Sequence, residues 1–395
     1  LPIYAELIKQ YGGVPIVESQ YAANKFIPRS SYDQIVEYIV KEIDDHKGKL
    51  AVDWASFSER NGRFTLGAAL AIKARVLLYA ASPLHNPDND VEKWKKAAAA
   101  AYDIISNPDL NYSLDSDYGA YFQGNRSLSS PETIYVVRRE QSNAMESNNY
   151  PIATPGGASG VTPTQNLVEA YEWVGDPVAG DPYANRDPRL AASVVTNGST
   201  WNGHVIDQSP GGRHDMSAPN ASKTGYYLKK FLTDNLDLTQ GAKVQHNWVS
   251  YRYAEVLLNY AEAMNEAYGP DQAPGDYALT ALDALQLVRD RASLQLPIVT
   301  AATRDEFREA VKHERRIELA FEDHRYWDLL RWKDAMEVLN KPVRGVKVTK
   351  TGEGKWSYTQ TEVATRTFLE RNYYMPFTRS EVENSNHTLE QNPGY

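Results

Sequence analysis

Glu314-Arg-Arg-Ile-Glu-Leu-Ala-Phe-Glu-Asp-His-Arg-Tyr-Trp-Asp-Leu-Leu-Arg-Trp332 is the stretch with the most ionisable side chains in a helical pattern. Arg315, Glu318, Glu322 and Arg325 recur at spacings of three and four, which puts them on one helix face. Two carboxylates four residues apart could form an acid/base pair or hold a metal. Each of these, however, has an arginine within reach, and a guanidinium beside a carboxyl lowers its pKa and spoils it as a general acid. The segment therefore reads as an ion-pair ladder holding a partly buried helix against its neighbours. His313-Glu314 begins like a zinc-protease helix, but that motif needs a second His at position 317, which is Ile. The other histidines (46, 85, 204, 214, 246, 324 and 387) are scattered without ligand spacing. Thr154-Pro-Gly-Gly-Ala-Ser-Gly160 lacks the Gly-Lys-Ser/Thr of a phosphate loop, and Ser159 is not in a Gly-x-Ser-x-Gly elbow. Carboxylate pairs that cleave glycosides are defined by their separation in space, and with 51 Asp and Glu the sequence singles out none. No catalytic, metal-ligating or cofactor-binding residue is predicted.

The 395 residues are 42% hydrophobic and 24% charged, the balance of a folded globular chain. The 26 Tyr and 8 Trp stand out. Each has an apolar face and a polar edge, which suits sugar and peptide recognition as well as core packing. With no Cys there are no disulfides, thiol nucleophiles or thiolate metal sites. A net charge of −9 argues against nucleic acid as a partner. No apolar run approaches the roughly eighteen residues of a membrane span. The opening Leu1-Pro-Ile-Tyr-Ala-Glu-Leu-Ile reads like the interior of a protein, so an N-terminal portion is expected to precede it.

Helices are predicted at both ends. Ser31 and Gln34 have capping-box spacing ahead of Ile35, Tyr38, Ile39 and Ile43. A second helix spans Thr65 to Ala81, rich in alanine and stopped by Ser82-Pro83, and a third spans Val91 to Ser106. The alanine-rich pairing suggests tetratricopeptide-like hairpins, although the 34-residue consensus is poorly matched. Further helices are expected over Tyr251 to Tyr268, Tyr277 to Ala292, and Thr303 to about Met336, the last with Thr303 and Glu306 as a capping box. Between these groups, residues 107–247 accumulate Gly, Pro, Asn and Ser, with strand-like pieces such as Thr133 to Arg138. The expected fold is mainly α: tetratricopeptide-like helical pairs carrying a large loop-rich insertion with short β strands. Within one domain, residues 1–106 form an incomplete N-terminal helical part, 107–247 the ligand-binding insertion, and 248–395 the C-terminal helices and an ordered tail. A long irregular segment in a compact protein is usually functional, so the insertion is the expected ligand surface.

The tail, Asn372-Tyr-Tyr-Met-Pro-Phe-Thr-Arg-Ser-Glu-Val-Glu-Asn-Ser-Asn-His-Thr-Leu-Glu-Gln-Asn-Pro-Gly-Tyr395, closely resembles the C-terminal signature of the SusD/RagB family of nutrient-binding lipoproteins. Similar segments follow the family's order along the whole chain. They are Tyr11-Gly-Gly-Val-Pro-Ile-Val17 with Pro28-Arg-Ser-Ser31, then Gly67 to Pro83, Asn149-Tyr-Pro-Ile152, Pro163 to Glu172, Asn185-Arg-Asp-Pro-Arg-Leu190, Arg252 to Ala263, and Glu314 to Glu322. The resemblance implies a lipid-anchored protein at the outer surface of a Gram-negative outer membrane, lying as a lid over a SusC-like TonB-dependent transporter. It implies capture of oligosaccharides, or of peptides in some lineages. The family's signal peptide and lipidated Cys are not present in this sequence, and some family ligand residues fall in that region.

Capture without turnover needs aromatic faces to stack on the C–H faces of sugars, and Asn, Asp or Arg to meet the hydroxyls. By location and chemistry, the candidates in the insertion are Asn149, Tyr150, Trp173, Trp201, His204, Arg213 and His214. Two rival classes are a glycan-degrading enzyme on a helical scaffold, for which no motif is found, and a protein-interaction helical repeat, which would not need the insertion.

Overall fold

The computed structural model describes residues 1–19, 26–54 and 62–395. Helix Tyr32–His46 opens with the expected capping box: the Ser31 hydroxyl accepts from the Gln34 backbone, and Gln34 returns a side-chain acceptor to Ser31. Helix Leu66–Ala81 is buried along almost its whole length. Its alanines let Tyr32–His46 and Val91–Ile105 close on it from two sides. Helix Tyr253–Tyr268, from the far side of the insertion, packs on Val91–Ile105, on Ala281–Arg289 and on Arg304–Glu318. Helices from both ends of the chain thus share one apolar core, from Ile8 and Ile35 through Ala98 and Leu257 to Phe307 and Leu389.

The insertion is closed at its base by an antiparallel ribbon of Thr133–Ser142 with Val244–Arg252. Between these strands lie short helices and two-residue strands folded around small cores of their own, one of Tyr150, Trp201, Tyr227 and Leu228, another of Tyr171, Leu190 and Tyr226. The fold is mainly helical, as expected, with local corrections. A helix Pro2–Tyr11 precedes the first one foreseen. The helix expected from Tyr277 begins at Ala281, because Thr280 supplies the cap with Asp283.

The single helix expected from Thr303 to Met336 is broken into Arg304–Glu318, Arg325–Arg331 and Ala335–Leu339. Phe321 and Asp323 take positive φ between the first two, a conformation that ends a helix. A hairpin of Val343–Gly352 with Lys355–Ala364 stands in the C-terminal part, where the sequence pattern predicts only helices and an ordered tail. It docks where the Val346 amide donates to the Thr224 carbonyl at 2.9 Å. A Cβ on Gly345 would lie 2.7 Å from the Thr224 Cα. Gly345→Ala is therefore expected to lower stability by about 1–3 kcal/mol, through overpacking, in a urea titration.

The break after Glu318 turns carboxylates into an arginine cluster. Glu318 accepts from Arg252 at 2.8 Å and from Arg291 and Arg189 at 2.9 Å. Glu132 accepts from Arg252 at 2.7 Å and Arg291 at 2.6 Å, and Glu322 from Arg252 and Lys230 at 2.7 Å. All seven residues are buried. The ionic reading of this segment is structural in kind, but the partners are not those on its own face. Arg315 instead pairs with Asp328 and Asn259. Burial alone would raise the Glu318 carboxyl; Arg291, Arg252 and Arg189 overcome it and hold the group well below the ordinary range. Burial likewise pushes Lys230 down to about 8, against the pull of Glu322.

The C-terminal segment is ordered and laid over the helical body. It is not wholly extended: Thr378 and Glu381 cap a short helix, Arg379–Asn384. Asn392 ties it to the start of the chain, donating to the Tyr11 carbonyl at 3.1 Å and accepting from Arg29 at 2.6 Å.

Candidate ligand-binding site

The seven sequence candidates do not form one surface. Tyr150 and Trp201 meet edge to face at 5.4 Å inside a core, 0% and 2% exposed, so neither offers a ring face to a sugar. Tyr150 donates its hydroxyl to the Thr233 carbonyl and accepts from the Leu236 amide. Asn149 is buried and spends its amide on the Met145 carbonyl and the Val161 amide. His214 is buried with Nδ1 accepting from the Asp207 amide, and burial lowers it to about 4. These four correct the expectation that position in a loop-rich region means access: their polar atoms organise the loops themselves. Three remain at the surface. His204 lies in the two-residue strand opposite Trp201, and Arg213 donates to the Ala153 carbonyl. Trp173 is 36% exposed, with the Arg186 guanidinium 3.9 Å above its ring.

A cleft of about 380 Å³ lies elsewhere, between the base ribbon, helix Pro2–Tyr11 and the turn after Glu318. Its wall is aromatic: Phe64, Tyr79, Tyr135, Trp248 and Tyr251. Phe64 and Tyr135 stack at 4.4 Å. The ribbon builds this wall through an irregularity. Tyr135 is opposite Tyr251 and Val136 opposite Val249, so Ser250 is an extra residue on the second strand. That bulge returns Trp248 to the face already carrying Tyr251 and Tyr135; in a regular strand, residues three apart face opposite ways. Arg75 fixes the bulge by donating to the Ser250 carbonyl at 2.7 Å while holding Glu255 through two bonds of 2.7 and 2.6 Å. Its guanidinium also lies 3.8 Å from the Tyr251 ring. Burial favours the neutral Glu255 acid, but Arg75 and His324 outweigh it and hold Glu255 at about 2.

Opposite the aromatics stand two solvent-open carboxylates and a half-buried ammonium. Glu6 and Asp323 have side chains 49% and 67% exposed, and Lys9 sits between them, 2.6 Å from Glu6 and 4.0 Å from Asp323. Lys9 is steadied over the Trp327 ring at 4.5 Å. The two carboxylates are thus bridged by an ammonium and do not face each other across an open gap. The arrangement can stack an apolar ring face and hydrogen-bond its hydroxyls. The sequence pattern places Tyr135 on a strand but does not reveal this cleft, because the Ser250 bulge leaves no signature in the alternation. Among the described residues, no three His, Asp or Glu side chains are grouped to hold a metal ion.

The family model for the SusD family matches residues 121–395. The chain belongs to the SusD family. Over 378 residues it is 24% identical to the SusD-like protein P38 of Formosa agariphila, covering 87% of this chain and 66% of that protein's length. A SusD-like protein from Bacteroides fragilis has a similar structure, with a TM-score of 0.81 at 25% identity, covering all of this chain and 78% of the other. A SusD-like carbohydrate-binding protein from the same organism aligns with a TM-score of 0.79 at 26% identity, over 96% of this chain and 76% of its own. The SusD family match spans the base ribbon, the insertion and the C-terminal helices, so most of the aromatic cleft lies within it.

Proposed function

We propose that this SusD-family chain binds oligosaccharides at the cell surface, without cleaving them, and passes them to a SusC-like TonB-dependent transporter in the outer membrane. The observation that carries the reading is the solvent-open cleft with an aromatic wall on one side and, on the other, exposed Glu6 and Asp323 bridged by the half-buried Lys9. Such a cleft matches the C–H faces and hydroxyl edges of sugars. A structural relative described as carbohydrate-binding supports the ligand class. The surface location, lipid anchor and transporter follow from the family resemblance. No helix among the described residues is long and apolar enough to cross a membrane, and attachment through a lipid needs none.

Calorimetric titration with a panel of plant, host and microbial oligosaccharides tests this, with peptides as controls. One glycan class is expected to give saturable heat, and its incubation with the protein is expected to release no products. Trp248→Ala should weaken that binding about fivefold, the contribution of roughly 1 kcal/mol from one stacked ring. Unchanged affinity in Trp248→Ala together with loss in Trp173→Ala would move the site into the insertion. Heat with peptides alone would replace the sugar reading by peptide uptake.

A further inference from the structure

A second cavity, of about 450 Å³, lies between the segment Thr164–Leu167, the turn at Ala320–Phe321, helix Arg325–Arg331 and the start of the C-terminal hairpin. Apolar side chains, Leu167, Phe321, Leu329 and Val343 among them, line part of it. The remainder is cationic: Arg316, Arg325, Lys341, Arg344 and Arg366 all reach it, and no lining residue is acidic. This concentration occurs in a chain whose net charge is −9.

The partners of these cations make the cavity unusual. Arg344 is paired with Glu169, and Lys341 with Glu337. Arg316 and Arg325 are half-buried, and among the described residues neither has a carboxylate within ion-pair distance. Arg316 donates at 2.6 Å to the Asn166 carbonyl, a neutral acceptor. The carboxylates whose charge reaches the pair are engaged elsewhere: Glu169 with Arg344, Asp328 with Arg315 and Arg331, Asp334 with Lys312. Every buried arginine in the interior network, by contrast, holds at least one carboxylate. Burial, helped by the neighbouring Arg325 charge, lowers Arg316 to about 10. A half-buried pair of like charges without a counter-ion is costly, and a forked guanidinium is shaped to take an oxyanion through two bonds.

We propose that this cavity is an anion subsite that takes the carboxylate or sulfate group of an acidic sugar residue, with Arg316 and Arg325 as the principal donors and the apolar wall against the ring. The sugar part of the assignment rests on the oligosaccharide-binding reading; the anion part rests on the cavity alone.

The test is titration of the full chain with a galacturonic acid trisaccharide, a sulfated tetrasaccharide, a neutral maltotriose and sodium sulfate. Wild type is compared with Arg325→Gln, Arg366→Gln and Trp248→Ala. At least one acidic sugar is expected to bind more tightly than the neutral one, with affinity falling as sodium chloride is raised. Arg325→Gln should weaken it about tenfold, as for loss of a charged hydrogen bond, without lowering the melting temperature, since among the described residues no hydrogen bond or ion pair of Arg325 is lost and a like-charge contact is relieved. Arg366→Gln, at an exposed position, should give a smaller loss in the same direction. The trisaccharide and tetrasaccharide arms distinguish carboxylate from sulfate as the preferred group. Equal affinity of wild type and both arginine variants for every acidic probe overturns the subsite, even where neutral sugars still bind. Sulfate binding that depends on Arg325, with no sugar bound by any variant, overturns the sugar assignment and the oligosaccharide reading while leaving an anion site.

Discussion

Glu318→Gln is expected to lower the unfolding free energy by at least about 3–5 kcal/mol, the usual result of removing one partner from a buried ion pair. Glu318 is 0% exposed and receives three guanidiniums, so the amide would leave Arg189, Arg252 and Arg291 facing a neutral group in the interior. Urea titration at pH 7 measures the loss. Glu337→Gln breaks an ion pair as well, with Lys341, but its side chain is 77% exposed and the midpoint should stay where it is. Comparable small effects from both substitutions would show that the interior network is not what holds the turn after helix Arg304–Glu318.

Stability should also fall as pH drops from about 6.5 to about 4, before most carboxylates begin to titrate. His324 is buried at the back of the aromatic cleft, and burial lowers it from 6.5 to about 4 despite the attraction of Glu255. Between those values the unfolded chain binds a proton that the folded chain refuses, so acidification favours unfolding. A shift of this size corresponds to roughly 3 kcal/mol at full development. His214 and His85 are lowered as well, to about 4 and about 3, and contribute with the same sign. Carboxylates held low, such as Glu255, act with that sign too, but their contribution begins to be lost only below the ordinary carboxylate value of 4.5. Urea midpoints at pH 7, 6 and 5 should therefore decline, and His324→Asn should flatten the decline. A level profile over that range would mean that His324 is solvated or protonated in the native state.

Much of the helical scaffold was readable because its signals are local. Ser31 with Gln34 and Thr303 with Glu306 form the capping boxes their spacing announces. The alanines of Leu66–Ala81 face neighbours on several sides, as small residues allow. The pattern from Glu318 to Arg325 reads as continuous helix because the groups that favour the turn are remote in sequence: Arg252 donates to the Glu318 carbonyl and the Glu322 carboxylate, and Lys230 to the Ala320 carbonyl. The hairpin Val343–Ala364 carries a signal, alternating Val346, Val348, Trp356 and Tyr358 around Gly352-Glu-Gly354, but the division of 248–395 into helices and an ordered tail passes over it. The candidate site was the least legible part. Tyr150 and Trp201 have the right chemistry for a sugar and are turned inward by a core that no periodicity reveals. Trp248 faces the cleft only through the one-residue bulge at Ser250, which depends on Arg75 from a helix far earlier in the chain.

The bond between Arg29 and Asn392 joins residues 363 positions apart, and Arg29 also clasps the Gly13 and Tyr11 carbonyls. A ribosome adding roughly 5–20 residues per second needs about 20–70 s to make the chain between Arg29 and Asn392. Throughout that interval the first helix and its following turn lack the partner that closes them. The interior arginines face a similar delay, because Arg189 and Arg252 precede Glu314, Glu318 and Glu322 in synthesis. Folding therefore cannot be completed piece by piece from the N-terminus. A chain released before Asn392 would still lack this closing contact.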